Sequence, residues 1–357
     1  MAYITLDRNK LKHNYDYLNR LFDGNGISWS VVSKLLCGHP LFLEELRKLG
    51  VTRICDSRMA NIKAIKKIAP DIETMCIRPP ALRAIPDIVR YADISFNTEY
   101  ATLEKLSAEA SRQGKVHQVI IMIELGELRE GVLRDDVLPI YEKTLTLPHI
   151  DIVGVGTNLS CLSGILPDYD KLNQLCLYRD LLHAKFGKAI PYVSGGTSVT
   201  IPLLTDKVVP AGINHFRIGE TLFFGNDLYH DTLLPDMEHD VLKLYAEIIE
   251  LEEKPLIPEG RLGTNLEGDT PEFDRNDRGK TSVRAILDIG LLDVEHTRIF
   301  PDDNAISCCG ACSDMLVVDL GENTTQYKTG DTIAFSMDYM GAVRLMNSRY
   351  IGKRVIE

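Results

Sequence analysis

Short apolar runs alternate with segments of helical periodicity over residues 1–240 of the chain. In the helical segments, apolar residues recur at spacings of three and four, as at Phe42, Leu46 and Leu49. The apolar runs predict strands at 28–34, 51–55, 73–78, 92–97, 117–125, 150–158, 189–194 and 214–218. Strands and helices that alternate in this way predict an α/β protein of the (β/α)8 or TIM-barrel class.

The pattern changes after residue 240. The stretch 252–281 is rich in Gly, Pro, Asp and Asn and predicts a long loop. Beyond it, β-rich runs follow without intervening helices at 283–290, 304–309, 314–320 and 331–336. We therefore expect a C-terminal β domain over residues 241–357 that includes this loop. A doubly wound sheet is the competing fold class, but no GxGxxG segment follows the first strand.

Composition narrows the class of protein. A hydrophobic content of 45% and a charged content of 25% are ordinary for a globular domain, and no apolar run has the length of a membrane span. The net charge of -11 disfavours a nucleic-acid partner. The cysteines lie mostly in apolar runs, as expected of reduced thiols in a cytoplasmic protein. Cys308, Cys309 and Cys312 lack a second CxxC or HxxxH segment, so we expect no metal.

Polar residues recur where the predicted strands end, which is where (β/α)8 barrels carry their active sites. In chain order these are Lys34, Arg129, Asn158, the segment Ser194-Gly-Gly-Thr197-Ser198 and the segment Arg217-Ile-Gly219-Glu220. The segment 195–198 would open a helix whose N–H groups, with two hydroxyls, bind a phosphate. A phosphate site that faces a lysine predicts pyridoxal 5'-phosphate, held as a Schiff base on Lys34. A sugar-phosphate substrate of a lyase or isomerase is the alternative.

Six segments, in chain order, resemble those of the alanine racemase-like, fold-type III pyridoxal-phosphate enzymes, in particular the alanine/ornithine racemase branch. They are Val-Val-Ser-Lys34, Leu-Gly-Glu-Leu-Arg129-Glu-Gly, Gly-Val-Gly-Thr-Asn158-Leu, Ser-Gly-Gly-Thr-Ser198, Phe-Arg217-Ile-Gly-Glu and Gly310-Ala-Cys312-Ser-Asp314 with the apolar run that follows. The resemblance covers nearly the whole chain and is least constrained at 252–281.

The resemblance implies a role for each of these residues. Lys34 would bind the cofactor and act as one racemising base. Arg129 would lie near the cofactor phenolate and the substrate carboxylate, which suits its planar guanidinium. The remaining cofactor-binding residues would be Asn158, Thr197, Ser198, Gly219 and Glu220, with the Tyr339 hydroxyl reaching the phosphate from the β domain. Arg217 would face the pyridine nitrogen, where relatives that decarboxylate basic amino acids place a carboxylate, so it favours racemisation.

Racemisation moves protons on two faces of Cα and normally requires two groups. In alanine racemases the second group is a tyrosine of the partner subunit, in a Gly-Tyr-x-Asp segment. Here Leu291 stands in its place, and leucine cannot carry a proton. We expect Cys312 to replace it, with a small buried hydrophobic role for Cys312 as the alternative. Ser313 and a water held by Asp314 are further candidates, and Asp314 with Asp288 is a candidate for binding a distal substrate ammonium.

The sequence therefore predicts a pyridoxal-phosphate amino-acid racemase that forms a homodimer with shared active sites. Ornithine is the expected substrate, with lysine, arginine or alanine as alternatives. The competing functions are a decarboxylase or aldolase of the same fold and a pyridoxal-phosphate-binding homeostasis protein without catalytic activity. Proteins of the last kind have a single barrel, so the β-rich segment 283–357 argues against that function.

Overall fold

The chain folds into two units in a computed structural model that describes residues 1–266, 268 and 270–357. Arg8–His239 form one unit, called here the barrel unit, and Met1–Asp7 with Asp240–Glu357 form the other, called the β unit. The first strand, β1 (Tyr3–Asp7), belongs to the β unit, whereas the sequence predicts that residues 1–240 form the barrel domain. The reason is its pairing, because β1 lies between residues 242–245 and 352–356.

Parallel strands form a closed barrel in the barrel unit, as the sequence predicts. The strands are β2 (Ser28–Val32), β3 (Arg53–Asp56), β4 (Glu73–Cys76), β5 (Ile94–Asn97), β6 (His117–Met122), β7 (Ile150–Gly156), β8 (Tyr192–Thr197) and β9 (His215–Ile218). Each predicted run overlaps one of them. β2 pairs with both β3 and β9, and this pairing closes the barrel.

Helices connect the strands of the barrel. They are α1 (Arg8–Gly24), α2 (Pro40–Lys48), α3 (Met59–Ile68), α4 (Ile85–Tyr91), α5 (Tyr100–Arg112), α6 (Val137–Leu145), α7 (Tyr169–Phe186), α8 (Ile201–Thr205) and α9 (Glu220–Phe224). α1 buries Leu11, Leu18 and Phe22 on one face, and each such side chain contributes about 1.5–3 kcal/mol. The short strands β10 (Asn226–Asp227) and β11 (Thr232–Leu233) follow α9.

Packed side chains fill the barrel interior. The apolar cluster consists of Val32, Cys55, Met75, Ile94, Phe96, Ile120, Met122 and Val153. Two histidines are buried as well: His215 contacts the hydroxyls of Ser30 and Ser194 at 2.8 Å each, and His117 contacts that of Ser95 at 2.8 Å. Burial lowers the pKa of both imidazoles, that of His117 to about 4, so both are neutral at pH 7.

The β unit is a mixed sheet with one helix. Besides β1 it contains β12 (Leu242–Pro255), β13 (Thr281–Leu287), β14 (Ile299–Pro301), β15 (Ser307–Ala311), β16 (Leu316–Asp319), β17 (Thr332–Met337) and β18 (Gly352–Ile356), with α10 (Tyr339–Asn347) before the last strand. The strand order is β14-β17-β12-β13-β16-β15, and β1 pairs with β12 and β18. The predicted C-terminal β structure is therefore present, with β12, β14, β18 and α10 in addition.

The predicted loop 252–281 is shorter than expected. Residues 252–255 continue β12, because they pair with 281–284 of β13. Arg275–Asp277 form a 3-10 turn, at which the Asp274 carboxylate accepts a hydrogen bond from the Asn276 N–H at 2.9 Å. Glu267 and Asp269 of this loop lie outside the described residues. Across the described part of the chain, no helix has both the length and the apolar composition needed to cross a membrane.

Candidate active site

Lys34 lies just beyond β2 at the C-terminal rim of the barrel. It opens a short 3-10 turn and its side chain is exposed. The hydroxyl of Ser33, the residue before it, donates to the buried carboxylate of Asp56 at 2.8 Å, and Asn61 donates to the same carboxylate at 3.0 Å. Burial raises the pKa of Asp56, and these donors oppose that shift. This polar contact fixes the backbone immediately before Lys34.

Ser198 and Gly219 meet beyond the ends of β8 and β9. The main-chain N–H groups of Gly219 and Thr221 lie 3.4 and 3.3 Å from Ser198 Oγ, so two N–H donors and a hydroxyl converge there. A β-carbon on Gly219 would lie 3.1 Å from Cβ of Val32, and this close approach favours glycine. Glu220 begins α9 directly afterwards. Converging N–H groups of this kind suit an anion.

The glycines before Ser198 lie in a strand, whereas the sequence predicts that they open a helix. Gly195 and Gly196 lie inside β8 and do not open a helix. A β-carbon on Gly196 would lie 2.2 Å from the ring of Phe216, and one on Gly195 would lie 2.8 Å from Ile213. Packing against neighbouring side chains therefore requires these glycines. The turn itself begins at Thr197, so the polar groups at this corner are those of Thr197, Ser198 and the main chain that follows.

Arg217 is buried near the end of β9, with 5% of its surface exposed. One terminal nitrogen donates to the Ser194 carbonyl at 2.9 Å and to the Ser194 hydroxyl at 2.5 Å, and the other donates to the Thr157 carbonyl at 2.7 Å. The guanidinium also lies 5.5 Å from the ring centroid of Phe96. Burial lowers the pKa of Arg217. The side chain is thus a fixed cation that spans β9, β8 and the end of β7.

Thr157 and Asn158 carry polar atoms that the protein leaves unsatisfied. Thr157 Oγ1 and Asn158 Nδ2 are buried and make no hydrogen bond to any residue that the structure describes. A buried polar atom without a partner is costly, and a ligand or a water molecule bound at this rim would supply one. With Arg217 and the corner at Ser198, these atoms fit pyridoxal 5'-phosphate, a ligand that carries a phosphate and polar ring substituents.

Arg129 lies on the loop after β6 and is paired with its neighbour. Its Nε and one terminal nitrogen donate to the carboxylate of Glu130, whose side chain is 13% exposed. This hydrogen bonding raises the pKa of Arg129. A planar guanidinium that already binds one carboxylate can bind another of the same geometry, so a substrate carboxylate could share or replace Glu130.

The predicted site residues of the barrel unit lie at or beyond the C-terminal ends of neighbouring strands. β6, β7, β8, β9 and β2 are consecutive around the closed barrel. Their C-terminal ends carry, in the same order, Arg129, Asn158, Thr197 with Ser198, Arg217 with Gly219 and Glu220, and Lys34. The structure thus brings these residues to one side of one rim.

Sequence reasoning missed several polar residues that support this rim. Asp56 anchors the residue before Lys34, Ser194 and Thr157 hold Arg217, and Glu127 binds the loop after β7. All of these contacts join residues far apart in the chain. Two of these residues could have been found from their position at a strand end, because Asp56 ends β3 and Thr157 directly follows β7.

The other predicted residues lie in the β unit. Cys312, Ser313 and Asp314 follow β15 and are exposed in the single chain. The Ser313 hydroxyl donates to Asp314 Oδ1 at 3.2 Å. Tyr339 is half-buried at the first position of α10. The approach of these side chains to a cofactor or substrate stays a prediction.

The chain is similar to characterised racemases over its whole length. A family model described as alanine racemase, N-terminal domain, matches residues 6–227. The ornithine racemase of Acetoanaerobium sticklandii is 37% identical over 356 residues, which cover 99% of each chain. The lysine racemase of Thermotoga maritima is 30% identical over 351 residues, covering 98% of this chain and 97% of the relative.

A solved structure has the same fold. The alanine racemase of Bartonella henselae, determined with covalently bound pyridoxal phosphate, superimposes with a TM-score of 0.75 at 14% identity and covers 99% of both chains. The matched family, the full-length similarity to two racemases and this shared architecture agree with the resemblance of the six sequence segments. The chain belongs to the alanine racemase family of fold-type III pyridoxal-phosphate enzymes, and it is an amino-acid racemase.

Proposed function

We propose that this racemase interconverts the L- and D-enantiomers of ornithine. Similarity to a relative named for ornithine extends over both chains and is higher than that to the relative named for lysine, 37% against 30%. Lysine, which differs from ornithine by one methylene, is the second candidate substrate, because one methylene in a pocket discriminates by only about 1–3 kcal/mol. Arginine and alanine are further candidates.

The buried guanidinium of Arg217 is the main observation that supports racemisation as the reaction type. Hydrogen bonds from Arg217 to Ser194 and Thr157 fix its position, so it is a permanent positive charge at the rim. In the proposed site it would face the pyridine nitrogen of the cofactor, and the positive charge would keep that nitrogen unprotonated. Relatives that decarboxylate basic amino acids place a carboxylate at this position, so a cation here supports racemisation rather than decarboxylation.

Pyridoxal 5'-phosphate, when bound, supplies the electron sink that makes the Cα proton of an amino acid acidic. Its phosphate would be held by Thr197, Ser198 and the main chain of Gly219 and Glu220, and from the β unit by the Tyr339 hydroxyl. Thr157 Oγ1 and Asn158 Nδ2 would gain in the ligand the hydrogen-bond partners that they lack in the protein.

Lys34 and Arg129 would act on the amino acid itself. Nζ of Lys34 would bind the cofactor covalently in the absence of substrate, and as the free amine, once the substrate amine has displaced it, would take or return the Cα proton on one face. The planar guanidinium of Arg129 binds the substrate carboxylate and fixes which face is presented. The contact between Ser33 and Asp56 supports this role, because it anchors the backbone from which Lys34 extends.

The opposite face of Cα needs a second proton carrier, for which we propose the Cys312 thiol of a second copy of the chain. The thiol is exposed in the β unit and can move a proton, unlike the side chain of Leu291. Asp314, exposed beside it, would bind the distal ammonium of ornithine together with Asp288, and the exposed Ser313 would contact the substrate. The functional unit in this proposal is a homodimer in which each β unit completes the site of the other copy.

A substrate panel tests the proposed function. The purified protein is given single L-amino acids in D2O, namely ornithine, lysine, arginine and alanine. Deuterium at Cα and the appearance of the D-enantiomer are measured by mass spectrometry and chiral chromatography. Ornithine should have the highest kcat/KM. Lys34→Ala should lose the cofactor absorbance band and turnover, whereas Lys12→Ala, an exposed lysine of α1 paired with Asp16, should retain both.

The other outcomes contradict the proposal in distinguishable ways. A release of CO2 from basic amino acids would indicate a decarboxylase. Cofactor binding without Cα exchange on any amino acid would indicate a homeostasis protein. Racemisation with a preference for alanine would leave the reaction intact and exclude ornithine as the preferred substrate.

A further inference from the structure

Glu127 is a buried carboxylate at the rim of the barrel, with 1% of its surface exposed. Its two oxygens accept hydrogen bonds from the main-chain N–H groups of one loop, those of Ser160, Cys161, Leu162, Ser163 and Ile165. The Cys161 N–H lies 2.7 Å from Oε1, and the Ser160 N–H lies 3.1 Å from Oε2. In return, the Ser163 hydroxyl donates to the Glu127 carbonyl at 2.7 Å. The loop after β7 is therefore folded around one side chain of the loop after β6.

The backbone beside this contact adopts conformations that L-residues avoid. Leu128, next to Glu127, has a φ of 57° and is 74% exposed, so apolar packing does not hold it there. Ser160, the first donor of the loop, has a φ of 58°. In this region the β-carbon crowds a carbonyl oxygen, and such residues persist only where their surroundings hold them. Here the hydrogen bonds of Glu127 hold the backbone in place, both next to Leu128 on one loop and at Ser160 on the other.

The location of Glu127 favours a role in the site over a role in general stability. Residues that stabilise a (β/α)8 barrel act in its core and at the N-terminal ends of the strands, whereas these loops follow the C-terminal ends. Burial raises the pKa of the Glu127 carboxyl, but the loop N–H groups outweigh it and lower the pKa to about 2. The group is thus an anion throughout the physiological pH range, and its charge is matched by main-chain dipoles.

Two site residues depend on these loops. Arg129 follows Glu127 by two positions. On the other loop, Thr157 precedes Ser160 by three, and its carbonyl accepts a hydrogen bond from Arg217 at 2.7 Å. Glu127 therefore links two loops. One carries Arg129, the proposed carboxylate-binding residue, and the other carries Thr157, which accepts the hydrogen bond from Arg217.

We propose that Glu127 is a positioning residue of the racemase. Its carboxylate holds the loop 160–165 against the loop 124–131 and so fixes Arg129 relative to Thr157 and Arg217. The inference rests on the proposed function for the role of Arg129 as the substrate-carboxylate residue. The order of the loop itself is independent of that role.

Glu127→Gln tests the proposal in the holoenzyme. Glutamine has the same size but replaces one carboxylate oxygen with an NH2 group, which then faces N–H donors. Hydrogen–deuterium exchange of the amides of 160–163 and 165 should become at least about tenfold faster, while those of β6 and β7 keep their protection. KM for the racemised amino acid should rise about tenfold, with a smaller change in kcat, because substrate placement and not the proton-moving group is affected.

Matched variants separate this role from a general loss of structure. Glu109→Gln removes a largely buried carboxylate of α5 that pairs with Arg112, far from the loops after β6 and β7 in the chain, and it should change neither exchange of the loop nor KM. Glu127→Asp keeps the charge and should restore part of the protection and of KM. If Glu127→Gln does not fold, Ser163→Ala, which removes only the hydroxyl contact, should give the same changes to a smaller extent.

Two results would overturn the proposal. One is unchanged exchange of the loop amides in Glu127→Gln, or in Ser163→Ala if that variant is used. The other is faster exchange with unaltered KM and kcat, which would make the contact purely structural. If the wild type turns over no amino acid, the proposed function fails instead. The exchange measurement is made without substrate, so it still tests the role of Glu127 in ordering the loop.

Discussion

The main-chain N–H of Leu291 donates to the main-chain carbonyl of Cys312 at 2.9 Å. Leu292 makes the same contact to Ser313 at 2.8 Å, and a β-carbon on Gly290 would lie 2.5 Å from the Asp314 nitrogen. The segment in which the family carries its tyrosine and the segment that carries Cys312 are thus packed side by side in the β unit. This adjacency supports the proposal that Cys312 takes the place of the tyrosine.

Removal of the Cys312 thiol should impair proton transfer on one face of Cα. A positioned acid or base contributes about 10²–10⁴-fold to such a step, so Cys312→Ala should lower turnover by at least about 10²-fold. Cα deuterium exchange is measured separately from L- and from D-ornithine in D2O. Cys309→Ala, an exposed cysteine of β15, is the control and should behave as the wild type. Unchanged rates from both enantiomers in Cys312→Ala would eliminate Cys312.

Arg217→Lys should destabilise the barrel although it keeps the charge. A lysine cannot make the forked contacts to Ser194 and Thr157, so buried carbonyls lose their donors, at a cost of about 2–4 kcal/mol. Urea unfolding measures this change in the free energy of unfolding. Arg112→Lys, exposed on α5 and paired with Glu109, should stay within about 0.5 kcal/mol of the wild type. An equally small effect of Arg217→Lys would mean that its hydrogen bonds contribute little.

Acid should weaken the fold through the buried imidazole of His117, which is 3% exposed. Burial lowers the pKa of His117 to about 4, below the value of about 6.5 in the unfolded chain. The unfolded state therefore binds more protons between these values, so stability is complete above about pH 6.5 and falls by up to about 3 kcal/mol toward pH 4. His117→Asn, which can still contact Ser95, should reduce this slope in unfolding titrations at each pH. Equal slopes in both proteins would exclude His117 as a source.

Gly196→Ala should destabilise the barrel through packing and not through a lost anion contact. The new β-carbon would lie 2.2 Å from the Phe216 ring, and overpacking of this kind costs about 1–3 kcal/mol. Thermal and urea unfolding without cofactor measure the effect. Gly24→Ala, where no atom lies within 4 Å of the added carbon, should cause no loss. Normal stability of Gly196→Ala together with weakened phosphate binding would return this glycine to the phosphate site.

Several features of the site could be predicted because their signals are local in the sequence. Lys34, Asn158 and Ser198 were found by their position after an apolar run, and parallel strands necessarily bring such positions to one rim. The same position did not reveal what Gly195 and Gly196 do. A glycine that permits a phosphate contact and a glycine that makes room for a phenylalanine ring look alike in a sequence.

The sequence by itself determined the order of the strands, their alternation with helices and the change to β structure after residue 240. It also determined which types of polar residue lie at the rim, since hydrophobic periodicity and strand ends are properties of short segments. Only the tertiary structure decided that β1 joins the sheet of β12 and β18, that Asp56 supports Lys34, and that Glu127 organises the loop 160–165. It also decided that Leu291 lies beside Cys312. Each of these depends on a hydrogen bond between residues distant in the chain, whose pairing is fixed only when the whole backbone has been folded.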